Sequence, residues 1–493
     1  MRKKIFILMI LSASSKALGF FRDLFLAFYY GTSTLADIYN LSAVIPPLVF
    51  GLFATAVGDA YTVYYPRIIA TRKSDEVSVL NQLILCYVLL SSLVAAIAIF
   101  FSTEITHLIM PALSQNDLET AVYFTKWSIY SIIPLGVVAI LSSLFTSKEY
   151  QLPVSLVGLP LNLATIAVIY ISSVKSSTIL ATSMVVSNLV QIIFLVAFLK
   201  KIGFRAEIRG ADWSWLVKIC KRSLPILVIS LFGYMSLHVN RTLSSSISNG
   251  AATAFTFSDR LIILFLGLFI LNLSSITFPK AASYIEIKNY KALQKLLDES
   301  LRLIMLFGMP ATIMFFAFSQ EIISLLYERG QFDARSVVMT ANCLQFYALG
   351  IVAFSLRDVL YKFFFSAGYF SELIVANLIS LSLTVSLGLY LSSRLGLVGI
   401  GLAVSVSSLA LVVVMMRILK IKMGINFNLN YIENLKVLVL CLGLVFLLKL
   451  DIFPWQNGKF YDFLQLITYS VIVGCYIVLK MFGTDKLTIP SKG

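Results

Sequence analysis

The chain has 493 residues, 59% of them apolar and 13% charged, with a mean hydropathy of +0.90 and a net charge of +15. Such a composition excludes an ordinary soluble enzyme and a disordered chain, and it is that of a polytopic membrane protein. The basic excess implies no nucleic-acid partner, since Lys and Arg of membrane proteins gather in cytoplasmic loops. Five scattered cysteines (Cys86, Cys220, Cys343, Cys441, Cys475) offer neither a disulfide framework nor zinc spacing.

The start, MRKKIFILMILSASS, has the charged and apolar regions of a signal peptide, but the helical pattern runs on through Tyr29, so the segment is expected to stay as a first span. Apolar stretches of about 20 residues, enough to cross a ~30 Å hydrocarbon core, follow one another along the chain. They lie near 5–30, 38–65, 79–101, 122–146, 151–173, 178–199, 223–245, 251–279, 300–318, 337–361, 370–393, 396–416, 433–449 and 461–480. They predict an all-α polytopic fold of about fourteen transmembrane helices. Taken alternately, one set of intervening segments holds 26 Lys and Arg and the other holds 6. That bias puts both termini in the cytoplasm.

The first span carries charges where an apolar helix needs none. In SKALGFFRDLFLAFYYG, residues Ser15, Lys16, Gly19, Arg22 and Asp23 fall within a sector of about 120°, while Leu18, Phe20, Phe21, Leu24 and Phe25 cover the rest. A charge at the bilayer centre costs roughly 2.5–3.5 kcal/mol, so such a stripe faces protein or a water-filled cavity. Further intramembrane ions are Asp37 at the mouth of the second span, Arg241 in HVNRTLSS and the pair Asp259-Arg260 in AFTFSDRLIILFLGLF. Two readings fit them: ion pairs that lock helices together, or cations that bind an anion such as a phosphate or pyrophosphate. Arg357-Asp358 and Lys126 lie nearer interfacial ends, where snorkelling explains them.

Landmarks recur at offsets of 213–216 residues: GLF at Gly51 and Gly267, Pro-basic at Pro66-Arg67 and Pro279-Lys280, Gly136 and Gly350, Asn162 and Asn377. A parallel internal repeat follows, with six spans in each half and two left over. The expected division is residues 1–210, 211–424 and 425–493. No hydrolytic or transferase constellation is visible; His107 and His238 have no catalytic partner at a recognisable spacing, and no Walker loop exists. The expectation is a transporter, not an enzyme, with no cofactor and no metal. A membrane enzyme of glycan assembly is disfavoured by short outer loops, and a drug or small-solute antiporter by the basic intramembrane residues.

Three regions carry a family resemblance: SKALGFFRDLFLAFYYGTSTLADIYNLSAVIP, NGAATAFTFSDRLIILFLGLFILNLSSITFPKAAS and IISLLYERGQFDARSVVMTANCLQFYALGIVAFSLRDVLYKFFFSAG. They resemble the signature regions of the MurJ (MviN) family of lipid-linked-oligosaccharide flippases, within the multidrug/oligosaccharidyl-lipid/polysaccharide exporter superfamily. The resemblance implies two six-helix lobes plus two C-terminal helices in the bacterial cytoplasmic membrane. It implies a function in peptidoglycan biosynthesis, moving an undecaprenyl-pyrophosphate-linked glycan, foremost lipid II, to the outer leaflet. Partners would be that lipid-linked glycan, membrane lipids and proteins of cell-wall or polysaccharide synthesis. Carried over residue by residue, Lys16, Arg22, Asp37, Asp259 and Arg260 match family cavity residues, with Arg241 added from its own position. One position departs: IPPLVFGLF puts Phe50 where the family has an arginine, which keeps open a different exopolysaccharide, capsule or O-antigen repeat unit as the cargo.

Overall fold

The computed structural model describes residues 2–71, 75–111, 113–199, 201, 213–427, 431–449 and 458–483. Among them there are twenty α-helices and no strand. In lipid this is the expected outcome, since a helix satisfies its own backbone hydrogen bonds. Two compact units divide the chain: Met1–Thr256 with Arg329–Phe332, and Phe257–Glu328 with Asp333–Gly493.

The first unit holds α1 (Arg2–Tyr30), α2 (Thr34–Ser42), a π-helical turn (Pro47–Gly51), α3 (Leu52–Thr71), α4 (Asp75–Phe100), α5 (Ser102–Ile109), α6 (Gln115–Tyr130), α7 (Ile132–Ser147), α8 (Gln151–Leu156), α9 (Gly158–Val174), α10 (Ser183–Leu199) and α11 (Trp213–Ser245). Helix α12 (Ala251–Glu286) starts in this unit and runs on into the second. There follow α13 (Tyr290–Ala317), α14 (Ser319–Tyr327), α15 (Ala334–Tyr347), α16 (Ile351–Ala367), α17 (Phe370–Leu395), α18 (Leu397–Met423), α19 (Tyr431–Lys449) and α20 (Lys459–Gly483).

Among the described residues, ten helices or helix pairs are long and apolar enough to cross a membrane. The other four expected positions hold α1, α11, α12 and α19, of 29, 33, 36 and 19 residues. The predicted cytoplasmic segment 202–212 and the tail 484–493 lie outside the described residues.

A shared order of elements underlies both units. A long helix (α4, α13) is followed by a short one (α5, α14), then by a helix opened by a side-chain cap (α6, α15), a break, and a further helix (α7, α16). The caps are Ser114, which accepts the Asp117 N–H at 3.3 Å, and Asp333, which accepts the Ser336 N–H at 2.8 Å. After this, α9 packs on α10, and α17 on α18.

Breaks within spans leave carbonyls without an intrahelical partner, and at three of them a side chain from a neighbouring helix meets one. Between α6 and α7 the Ile132 carbonyl accepts the Tyr87 hydroxyl at 2.9 Å, and Gly136 leaves the room that the Tyr87 ring fills. Between α8 and α9 the Val157 carbonyl accepts from Gln191 Nε2 at 2.9 Å. Between α15 and α16, where Ala348–Gly350 is a 3₁₀ turn, Ser405 Oγ donates to the Phe346 carbonyl at 3.0 Å.

Candidate functional site

Helix α1 packs against α9 through small residues. A Cβ on Gly19 would touch Asn162 at 3.4 Å, and Asn162 Nδ2 donates to the Ser15 carbonyl at 3.2 Å. This fixes the rotation of α1 and with it the charged stripe. Lys16 is exposed, as a stripe residue facing out of the packed interface must be. Arg22 donates Nε and Nη2 to Oδ1 of Asp23, at 3.1 and 2.7 Å, with 19% and 10% of the two side chains exposed. The guanidinium is thus oriented by its sequence neighbour, and its remaining N–H groups are donors of the fork type that reads phosphate.

Asp37 lies in a different setting. It is 5% exposed, its Oδ2 accepts the Gly250 N–H at 2.6 Å and its Oδ1 the Thr253 N–H at 2.7 Å. Asn40, nearly one turn further along α2, donates Nδ2 to the Thr253 hydroxyl at 3.2 Å. The carboxylate therefore sits on the N-terminus of α12, where unsatisfied amides and the helix dipole favour a negative charge. Gly250 makes the approach available: its φ is +86°, and a Cβ there would collide with the Thr32 carbonyl. Among the described residues no cation pairs with Asp37. Arg241 is 6% exposed on α11, and His238 lies about one turn earlier on the same helix.

In the second unit Asp259 is 3% exposed and its Oδ1 accepts the Tyr347 hydroxyl at 2.8 Å. Arg260 follows it on α12 and is half-buried. Arg357 pairs with Asp358 at 2.9 Å and lies over the Phe354 ring at 5.6 Å. Sequence reasoning missed Tyr347, which carries no signal in an apolar run. It also missed the amide partners of Asp37, 213 and 216 residues away. The Pro46-Pro47 pair could have pointed to the irregular turn at Phe50, since Pro47 has no N–H to give.

Phe50 itself is half-buried within that π-helical turn. Its ring stacks on Tyr87, centroids 5.3 Å apart and planes at 24°, and lies 5.1 Å from Phe53. It packs against an apolar cluster that includes Val57, Tyr61, Leu83 and Ile140.

Residues 26–465 match the family model of lipid II flippase MurJ. A probable lipid II flippase MurJ of Buchnera aphidicola subsp. Baizongia pistaciae is 25% identical over 374 residues, covering 74% of this chain and 72% of the relative. One from Treponema pallidum is 24% identical over 402 residues, with 79% and 76% covered. Among solved structures, a lipid II flippase MurJ in an inward closed conformation superposes with a TM-score of 0.81 at 19% identity, over 98% of this chain and 100% of that one. A multidrug resistance MATE family transporter of the MOP superfamily gives a TM-score of 0.68 at 12% identity, over 82% of this chain and 98% of that one. At those identities both structures speak for the fold.

Proposed function

The chain belongs to the lipid II flippase MurJ family, and we propose that it moves lipid II from the cytoplasmic to the periplasmic leaflet of the bacterial cytoplasmic membrane by alternating access. Both termini are then cytoplasmic, as the 26 to 6 distribution of basic residues between the two sets of loops supports. The working division is fourteen spans, six in residues 1–210, six in 211–424 and two in 425–493. Proteins of cell-wall or polysaccharide synthesis are the proposed partners.

One observation carries the reading. The acid of the second span, Asp37, is committed to the amides of Gly250 and Thr253, so it does not neutralise the cations of the first unit. Lys16, Arg22 and Arg241 there stand against two other intramembrane carboxylates, Asp23, which pairs with Arg22, and Asp59, which is exposed on α3. A basic excess inside the membrane suits an anionic headgroup such as pyrophosphate. The cations proposed to read it are Lys16 and Arg22, with Arg241 of the first unit and Arg260 of the second. Asp37 and Asp259 position helices instead, Asp37 on the start of α12 and Asp259 on Tyr347. The polyprenyl tail stays in lipid while the headgroup crosses.

The second reading, another undecaprenyl-linked glycan, has one supporting observation: Phe50 contributes an aromatic packing surface, not a guanidinium. Expression of this chain in a strain depleted of its lipid II flippase separates the two. Rescue of growth and cell shape supports lipid II, and failure at normal protein levels transfers the proposal to the other glycans.

A further inference from the structure

Asp37 is a deeply buried charge whose hydrogen bonds all come from neutral donors. The amides of Gly250 and Thr253 meet its two oxygens, and the Ala252 amide and Thr253 hydroxyl are also turned toward it. Among residues with described side chains, the charged and titratable groups on the helices packed against α2 are Lys16, Arg22, Asp23, Tyr29 and Tyr30 on α1, Lys218, Cys220, Lys221, Arg222, Tyr234, His238 and Arg241 on α11, and Asp259, Arg260, Lys280, Tyr284 and Glu286 on α12. On α6 they are Asp117, Glu119, Tyr123, Lys126 and Tyr130. None of them hydrogen-bonds or ion-pairs with Asp37. Removing water from a carboxylate without supplying a cation is costly, and here the amides and the α12 dipole alone offset it.

Beside the carboxylate lies a cavity of about 20 Å³, bordered by Thr34 and Leu41 of α2, Met110, Leu113, Ser245 and Asn249. That is room for one water molecule, with hydroxyl and amide groups to hold it. The arrangement responds to protonation in a definite way. An ionised carboxylate accepts at both oxygens, as the two amides require. A protonated one turns one oxygen into a hydroxyl, a weaker acceptor for the N–H it meets, and adds a proton that itself needs an acceptor.

We propose that Asp37 is a proton-binding site: ionised, it clamps α2 to the first turn of α12, and a proton arriving through the adjacent cavity opens the clamp. The inference rests on the transport reading for its consequence, because α12 carries Asp259 and Arg260 and its release becomes a step of the cycle. Under the proposed orientation the start of α12 lies toward the outer face, so the proton comes from outside. The cargo's transit would then depend on external pH.

Hydrogen exchange of the full chain in lipid nanodiscs tests this without substrate. After correction for intrinsic rates, protection of the amides of Gly250 and Thr253 should fall at least tenfold between pH 8 and pH 5. In Asp37→Asn, which keeps one acceptor and places a donor beside the other amide, protection should be low at both pH values. Wild-type protection that is the same at pH 8 and pH 5 overturns the proposal, and so does full protection in Asp37→Asn at pH 8. Should that variant fail to insert, the wild-type profile decides alone. Lipid II translocation into proteoliposomes, with external pH varied and internal pH fixed, is the second arm. No translocation at any pH with the exchange profile intact would retire the substrate reading and leave the proton site standing.

Discussion

Phe50 lies face to face with Tyr87, and Tyr87 in turn is pinned at both ends: its hydroxyl by the Ile132 carbonyl and its ring by the space that Gly136 leaves open. The three residues act as one packing unit. An arginine at position 50 would have to bury or redirect a guanidinium at an aromatic surface. Phe50→Arg is therefore expected to lower thermal stability in detergent and membrane abundance, with no gain in lipid II transport. An aromatic pair contributes about 0.5–1.5 kcal/mol beyond its buried area, so Phe50→Tyr should be close to neutral. Gly136→Ala should mimic Phe50→Arg in a thermal melt, because its Cβ takes the place of the Tyr87 ring.

Arg22→Ala and Arg260→Ala are each expected to abolish transport while insertion and abundance stay near normal. The motive for the first is the guanidinium held by Asp23 at 2.7 Å; for the second it is the place of Arg260 directly after Asp259, whose carboxylate accepts the Tyr347 hydroxyl. Arg22→Lys keeps the charge and loses the fork, so it should retain partial activity. Quantitative membrane immunoblots beside complementation decide the point. Loss of the protein itself would make these cations part of the scaffold.

Topology is open to single-cysteine labelling after removal of the native cysteines. Ser114 and Gln331 should react with an impermeant maleimide from outside, and Ser74 and Ala206, which lie outside the described residues, only from inside. Gly330 is unsuitable as a labelling site: its φ is +60° and a Cβ there would strike the Phe28 carbonyl. Gln331 is exposed next to it. Labelling of Ser74 from outside would reverse the orientation and the direction of transport.

The loop before α15 gives a pH dependence whose sign is fixed. Asp333, through the backbone N–H and then the hydroxyl of Ser336, is held below the ordinary carboxylate range. Glu328, through the Ser324 hydroxyl and Lys459, is lowered as well. A lowered folded-state value means the stabilisation is complete above the ordinary carboxylate range and is lost as pH falls through the lowered value. Asp333→Ala should cost about 0.5–1 kcal/mol, as helix N-cap removal does at exposed sites. Thermal melts at pH 7 and pH 3 check it: the difference from wild type should be present at pH 7 and shrink at pH 3.

Hydropathy made the spans legible because a membrane helix must be apolar over a fixed length, and the charges on α1 were legible because they violate that rule. Of the landmarks that recur in the sequence, Gly136 and Gly350 both lie against aromatic rings, those of Tyr87 and Phe354. Asn162 and Asn377 share a spacing but not a partner: one donates to the Ser15 carbonyl, the other accepts the Tyr361 hydroxyl. What a sequence does not carry is the partner of a long-range hydrogen bond. Nothing in TLADIYN says that Asp37 will find the amides of Gly250 and Thr253, because amides are present at every residue and only the tertiary fold exposes these two. Tyr347 was hidden for the same reason.

The π-helical turn at Pro47–Gly51 also sets a phase. Continuing the buried row Ile38, Leu41, Ile45 at regular helical spacing leads through Leu52 to Thr55 and Asp59, yet those last two are exposed. The row that is buried in α3 runs instead through Val57, Tyr61, Tyr65 and Ile68. The wide turn accommodates an added residue and so re-aims everything after it. Chain length between Pro46 and Leu52 is therefore under tighter constraint than side-chain chemistry: removing one residue would turn the rest of the helix by about 100°, carrying Asp59 to the buried direction that Gly58 now takes and forcing the Tyr61 ring into the space of Ala60, so gaps should be excluded from this stretch even where substitutions are tolerated.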